Sequence, residues 1–311
     1  MVARLPAAEV SYRRPSLGIT GQMKSYQDIA GDGGSRVVEQ VTEQRARVAA
    51  ALSRVRHVIA VGSGKGGVGK STLTLQIAEA LARGGRRLAI LDADLNGPSQ
   101  VRLARLGAAP LVPGPHGLLA MPRSAAGIGI VSLGALIPES EALDFDSVAE
   151  GESHVWRATR EFACMSQLLS TVQWGELDYL LVDLPPGAER TFQYAEFLGP
   201  QAAFVLVTIP AELARSVVLR SVAALLRTPN PVLGYVENMS GYFCAGCGEV
   251  RPLFSGGSAA GLDLPCLGRV PFDPALAGGP APPAPAVRTA LEAIASRLER
   301  AAGARREAGG P

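Results

Sequence analysis

The chain has 311 residues, of which 47% are hydrophobic, and carries a formal net charge of +2 at pH 7. That length and apolar content suffice for one large α/β domain with appendages, and the near-neutral charge gives no electrostatic basis for binding nucleic acid or an anionic membrane. No apolar stretch reaches the about 18 residues a spanning helix needs, and four cysteines in so long a chain form no disulfide framework, so a cytoplasmic location is expected.

Residues 1–34 hold Pro6, Pro15 and the cluster Gly31-Asp32-Gly33-Gly34 and are expected to form a flexible N-terminal arm, of which 1–23 lack the continuous apolar core of a signal peptide. Over 35–56, Val37, Val41, Val48, Ala49 and Leu52 recur among Glu and Arg, which predicts an amphipathic helix; its arginines read as a solvated face. The main domain is expected over 57–302 and a disordered tail over 303–311.

The apolar run 57–61 predicts a buried strand, and 71–83 predicts a helix through Leu73, Ile77, Ala80 and Leu81. Between them lies Gly64-Lys65-Gly66-Gly67-Val68-Gly69-Lys70-Ser71-Thr72, which fits G-x-x-x-x-G-K-[ST] at every fixed position. In such a loop the backbone N–H groups converge on phosphate oxygens at a helix N-terminus, Lys70 reaches the β/γ-phosphates and Ser71 ligates Mg²⁺. A plain glycine-rich turn is the bland alternative, and it does not account for strand, motif and helix coinciding.

Gly84-Gly85 ends the helix, and a second strand over 88–91 leads into Asp92-Ala93-Asp94. Strand, helix, strand is a βαβ unit with parallel strands, which places these acids at the phosphate edge as candidates for Mg²⁺ and water rather than mere loop caps. The Pro- and Gly-rich stretch 107–124 reads as loop, 128–133 as a strand, 136–152 as acidic and irregular, and 156–172 as a core helix containing Cys164. Tyr179-Leu180-Leu181-Val182-Asp183-Leu184-Pro185-Pro186-Gly187 is then a strand ending in an acid and a glycine turn: Asp183 suits Mg²⁺, and the Gly187 N–H suits a terminal phosphate. Strands over 203–208 and 232–236 flank a helix over 211–227. The sustained alternation predicts an α/β fold, a doubly wound, mainly parallel sheet with helices on both faces.

Cys244-Ala245-Gly246-Cys247 follows as an insertion. Such a pair shares a metal or cluster, but two thiolates are too few; a symmetric dimer would supply four, while half a zinc knuckle or a redox pair stay open as alternatives. Cys266 is expected to be buried beside Leu267. Over 286–302, Val287, Leu291, Ile294 and Leu298 form a modest stripe without large aromatics, read as packing on the sheet rather than as a membrane-binding helix.

The order of these motifs resembles the Mrp-type (ApbC-like) iron-sulfur cluster carrier ATPases of the MinD/ParA group of P-loop NTPases. The resemblance rests on Gly64 to Thr72 with its extra Lys65, Asp92-Ala93-Asp94 with Gly97-Pro98-Ser99, Asp183 with Pro185-Pro186-Gly187, Val236-Glu237-Asn238-Met239-Ser240, the cysteine pair, and Leu267-Gly268-Arg269-Val270-Pro271. It implies a homodimer that binds and slowly hydrolyses ATP with Mg²⁺ held among Ser71, Asp94 and Asp183. It further implies that Lys65 reaches the partner's phosphates, Lys70 and Thr72 bind their own nucleotide, Asp94 positions the attacking water and Asn238 meets the adenine edge. Cys244 and Cys247 of two subunits would bridge a [4Fe-4S] cluster destined for apo iron-sulfur proteins or exchanged with an assembly scaffold. The rival classes are a positioning or partitioning switch without a cluster, and a dimer clipped by zinc. The chain departs from the family pattern at Ala188-Glu189-Arg190, where Thr-Gly-Asp is usual, and at Ala158-Thr159, where Gly-Pro is usual.

Overall fold

The computed structural model describes residues 37–95, 97–107, 111–114, 118–132, 154–244, 246–247, 249–253, 262–277 and 282–307. The expected arm and the acidic stretch at 136–152 lie outside them. Contacts divide the chain into Met1–Thr42 and Glu43–Pro311, and the second unit contains the sheet and every candidate site residue.

In chain order the elements are α1 (Val37–Leu52), β1 (Val55–Ser63), α2 (Lys70–Arg83), β2 (Leu88–Asp92), α3 (Gln100–Leu103), β3 (Val112–Pro113), β4 (Leu119–Ala120) and β5 (Gly129–Ser132). There follow α4 (His154–Thr171), β6 (Leu177–Asp183), α5 (Ala188–Leu198), β7 (Ala202–Thr208), α6 (Glu212–Leu225), β8 (Val232–Phe243), β9 (Val250–Arg251), β10 (Cys266–Phe272), a 3₁₀ turn (Pro274–Ala277) and α7 (Pro285–Glu307).

The main sheet runs β10-β8-β7-β1-β6-β2-β5, parallel throughout, with β9 added antiparallel on β8. Its central strands are buried on both faces, which is why they read as continuous apolar runs rather than as alternation. Period two still sorts them: Val58 and Ala60 join a core with α1, α4 and α5, whereas Ile59 and Val61 join one with α2 and α7. Helices on both faces and a parallel sheet are the predicted architecture. All four stripe residues of α7, Val287, Leu291, Ile294 and Leu298, are buried in the second core.

Several expectations are corrected. α7 continues through Gly303 to Glu307, over residues expected to be a disordered tail; Arg305 donates from its last turn to the carbonyl of Gln201, which ties that end to the start of β7. β3 with β4 forms a two-stranded hairpin within the expected loop. Strand β10 starts at an exposed Cys266, not a buried one. β8 runs seven residues past the expected end at 236, to Phe243.

Candidate functional site

Strand β1 delivers the phosphate loop, and α2 begins at Lys70. Gly69 sits at φ 78°, and a Cβ built there would lie 2.3 Å from Asn238 Nδ2, so conformation and space both demand glycine. Asn238 in turn donates to the Val68 carbonyl at 2.9 Å, tying β8 to the loop. Ser63 Oγ donates to the Lys65 carbonyl at 3.0 Å, and the Lys65 side chain makes no ion pair among the described residues. Leu73 N–H donates to the Gly69 carbonyl at 2.9 Å, closing the first turn of α2.

Opposite α2 stand two carboxylates set by strand register, because Asp92 of β2 lies directly across from Asp183 of β6. Asp183 is fully buried. Its Oδ1 accepts from Lys70 Nζ at 2.5 Å and lies 3.3 Å from Thr74 Oγ, and its Oδ2 accepts from Gln100 Nε2 at 2.8 Å. Gln100 also donates to the Ser71 carbonyl at 3.0 Å, so it joins the phosphate loop to Asp183, while its Oε1 is buried without a partner. Asp92 Oδ2 accepts from Ser99 N at 2.8 Å, Gln100 N at 3.0 Å and Ser132 Oγ at 3.1 Å. Burial first, then the neighbouring Asp183 charge, pushes the Asp92 carboxyl up to about 6 against those donors. Asp94 is half-buried and accepts from Gly97 N at 3.2 Å.

The residues present fit a magnesium-nucleotide. The Ser71 hydroxyl, the Asp183 carboxylate and the orphaned Gln100 oxygen are hard oxygen donors gathered beside Lys70, whose Nζ lies 3.3 Å from Ser71 Oγ. Gln100 and Thr74 are functional neighbours that sequence reasoning missed, since Gln100 meets Asp183 only through an 83-residue separation. Gly187, at φ 114°, donates its N–H to the Ser63 carbonyl at 2.8 Å, so in this geometry that donor is already engaged.

The cysteine pair follows directly on the strand that carries Asn238, Cys244 being the first residue after β8 and Cys247 lying in the turn before β9. Beyond Asn238, Met239 adopts φ 53°, and β8 advances four residues to Tyr242 while β10 advances two, from Val270 to Phe272, which marks a bulge. Cys244 then closes the β8–β9 hairpin, its N–H donating to the Glu249 carbonyl at 2.9 Å. Six residues of extended chain separate Asn238 from Cys244, at most about 20 Å. Hydrogen bonds from the Cys247 N–H, the Cys247 thiol and the Gly246 N–H hold the Cys244 thiol below its ordinary range, which favours the thiolate that binds metal. Cys247 is exposed, and among the described residues no group of three or more potential ligands comes together.

A parallel sheet whose first loop is a glycine-lined phosphate cradle, facing a buried acid at the end of a neighbouring strand, defines a P-loop nucleoside triphosphatase. More narrowly, the ParA family model, described as the NUBPL iron-transfer P-loop NTPase, matches residues 54–298, and the chain belongs to that family. It is 39% identical over 241 residues to the cytosolic Fe-S cluster assembly factor CFD1 of Chaetomium globosum, covering 72% of this chain and 76% of that protein. It is 37% identical over 243 residues to the cytosolic Fe-S cluster assembly factor NUBP2 homolog of Nematostella vectensis, covering 72% and 83% respectively. Among solved structures, the nucleotide-binding protein of Archaeoglobus fulgidus in complex with ADP superimposes with a TM-score of 0.63 at 29% identity, over 80% of this chain and 92% of that one. The septum site-determining protein MinD of Pyrococcus horikoshii with Mg-ADP shares the fold, with a TM-score of 0.53 at 20% identity, over 80% and 98%. No helix among the described residues is long and apolar enough to cross a membrane.

Proposed function

We propose that the protein binds ATP, hydrolyses it slowly, and as a homodimer carries an iron-sulfur cluster between Cys244 and Cys247 of its two subunits for delivery to apo iron-sulfur proteins. The observation that carries this reading is the course of β8: one strand runs from Asn238, hydrogen-bonded to the phosphate loop, to the cysteine hairpin. Two cysteines complete no site within a chain, and a second copy supplies the other half of the four thiolates a cluster takes. Membership of the iron-transfer family and the names of the relatives support the cargo.

In this reading the P-loop N–H groups, Lys70 and Thr72 hold the phosphates, Lys65 reaches across to the partner's nucleotide, and Asn238 reads the adenine edge. Mg²⁺, held by Ser71 and Asp183, would neutralise charge on the β- and γ-phosphates. Lys70 rests on Asp183 at 2.5 Å, so its ammonium must leave that carboxylate to reach a phosphate. Asp94, half-buried and held by the Gly97 N–H, would orient an attacking water, and Gly187 must release the Ser63 carbonyl before it can donate to a phosphate.

Anaerobic reconstitution with iron and sulfide tests the cargo. The parent protein is expected to take up cluster and C244A/C247A is not; equal uptake by both overturns the carrier assignment. Stoichiometric zinc without iron in anaerobically purified protein would instead indicate a static dimer clip. ATP-dependent cosedimentation with vesicles or DNA, unchanged by loss of the cysteines, would indicate a positioning switch.

A further inference from the structure

The helix that follows the glycine turn is anchored by a charge where the resemblance leads one to expect the opposite sign. Arg190 lies in the first turn of α5, three residues after Gly187. Its Nη2 donates to Glu161 Oε1 of α4, and its Nη1 donates to Gln193 Oε1 at 2.9 Å. The guanidinium carbon lies 5.8 Å from the ring centroids of both Phe162 and Tyr194, so the cation is lodged against two aromatics as well as its carboxylate. Glu161 is 7% exposed and Arg190 is 23% exposed. The arginine head is therefore committed inward and is not a free cation available to a phosphate.

The same helix is fastened again one turn further on, on the same face. Tyr194, one turn further along α5 and fully buried, donates its hydroxyl to the Ala93 carbonyl at 3.0 Å. Ala93 stands between Asp92 and Asp94, and its N–H donates to the Asp183 carbonyl at 2.9 Å. One helix thus joins α4, the glycine turn and the acids of the β2 edge. Gly187, in a conformation only glycine takes readily, is the joint at the start of α5.

We propose that the Arg190–Glu161 ion pair is a positioning device for ATP hydrolysis. From α4 it fixes the helix that carries the glycine turn, so that Gly187 exchanges its Ser63 partner for the terminal phosphate without the helix swinging away. The pair is suited to this because breaking it leaves a buried carboxylate uncompensated, which makes the anchored and released positions discrete rather than graded. It also rationalises the departure at Ala188-Glu189-Arg190. With Glu161 in place, an acid at position 190 would meet a like charge in a buried site, whereas arginine meets its counter-ion. The inference rests on the ATPase reading above and concerns the chemical step, not nucleotide binding, because neither residue touches the phosphate loop.

The test compares the parent with E161Q, R190Q and the charge swap E161R/R190E, alongside E161D and R190K, which keep both charges should a neutral variant fail to fold. Loss of the pair is expected to lower kcat about ten- to a hundredfold, the scale of a small misplacement of a catalytic group. KM for ATP and the affinity for a fluorescent ADP should stay within about twofold, and the swap should recover much of kcat. A stability role alone would lower the melting temperature and leave the kcat of the folded fraction at the parent value, and that result overturns the proposal. If the parent itself proves not to hydrolyse ATP, the ATPase reading fails, and amide hydrogen exchange over 184–193 still decides the anchoring: exchange is expected to accelerate about tenfold in E161Q, and equal exchange in parent and variant overturns it.

Discussion

Asp183 ends β6 with both carboxylate oxygens occupied, one by Lys70 and the other by Gln100. A hydrogen bond to a buried charge contributes about 1.5–3 kcal/mol, so Q100L is expected to lower unfolding stability by about that much in EDTA, measured by urea denaturation. Magnesium and ADP should shrink the deficit, because Asp183 then regains a partner; a deficit unchanged by them would assign Gln100 to packing alone. Cys164 offers a second residue-scale check. Burial, then the Glu161 charge, pushes its thiol up, so at a given pH less of it is thiolate than of an exposed cysteine. Iodoacetamide labelling between about pH 7 and 9 should reach Cys244, Cys247 and Cys266 first and Cys164 last, with E161Q shifting the Cys164 profile toward lower pH; mass spectrometry of the labelled peptides reads both. The phosphate loop, Asp183 and the cysteine pair were legible in the sequence because each is a short pattern whose spacing is its chemistry. Gln100 and the Glu161–Arg190 pair were not, since nothing local marks a polar residue whose partner arrives from another element. Cys266 was misread because an apolar neighbour, Leu267, points to the opposite face of the same strand.

At the scale of elements, the strands and helices with sustained apolar runs were predicted to within a few residues, and the errors fall where tertiary context decides. β8 was expected to stop at 236 because polar Glu237, Asn238 and Ser240 break its apolar run. It continues because β10 and β9 pair with it. That extension leads into the cysteine hairpin, and Gly241 holds it together: a Cβ there would lie 2.5 Å from the Arg251 carbonyl oxygen and 2.8 Å from Val250 Cγ1. Since the nearer obstacle is backbone, G241A must push β9 away and open the hairpin that seats Cys244 on Glu249. The expected result is reduced iron and sulfide uptake on anaerobic reconstitution, with nucleotide affinity within about twofold of the parent, because Asn238 and the phosphate loop lie before the bulge. Equal cluster uptake by G241A and parent would mean that the hairpin geometry is not what holds the cargo.

For the whole molecule, strand β8 links the phosphate loop to the cysteine hairpin. The phosphate loop, Asp183 and Asn238 come together within a single chain, whereas the cysteine pair has two sulfurs and no third ligand among the described residues. Function at the second site therefore turns on whether two chains share it. Co-expression of two differently tagged forms, one parent and one C244A/C247A, followed by purification through both tags, isolates the mixed dimer. If four thiolates from two subunits hold the cluster, the mixed dimer has only two and should retain almost no iron or sulfide after desalting, although each of its phosphate loops still binds ADP. If each chain holds its own cluster, the mixed dimer should keep about half the parent's iron per chain, since one of its two sites is intact. Recovery of no mixed species in ATP, where parent chains labelled with both tags do co-purify, would show that the cysteines themselves close the dimer, placing cluster binding before nucleotide in the order of assembly.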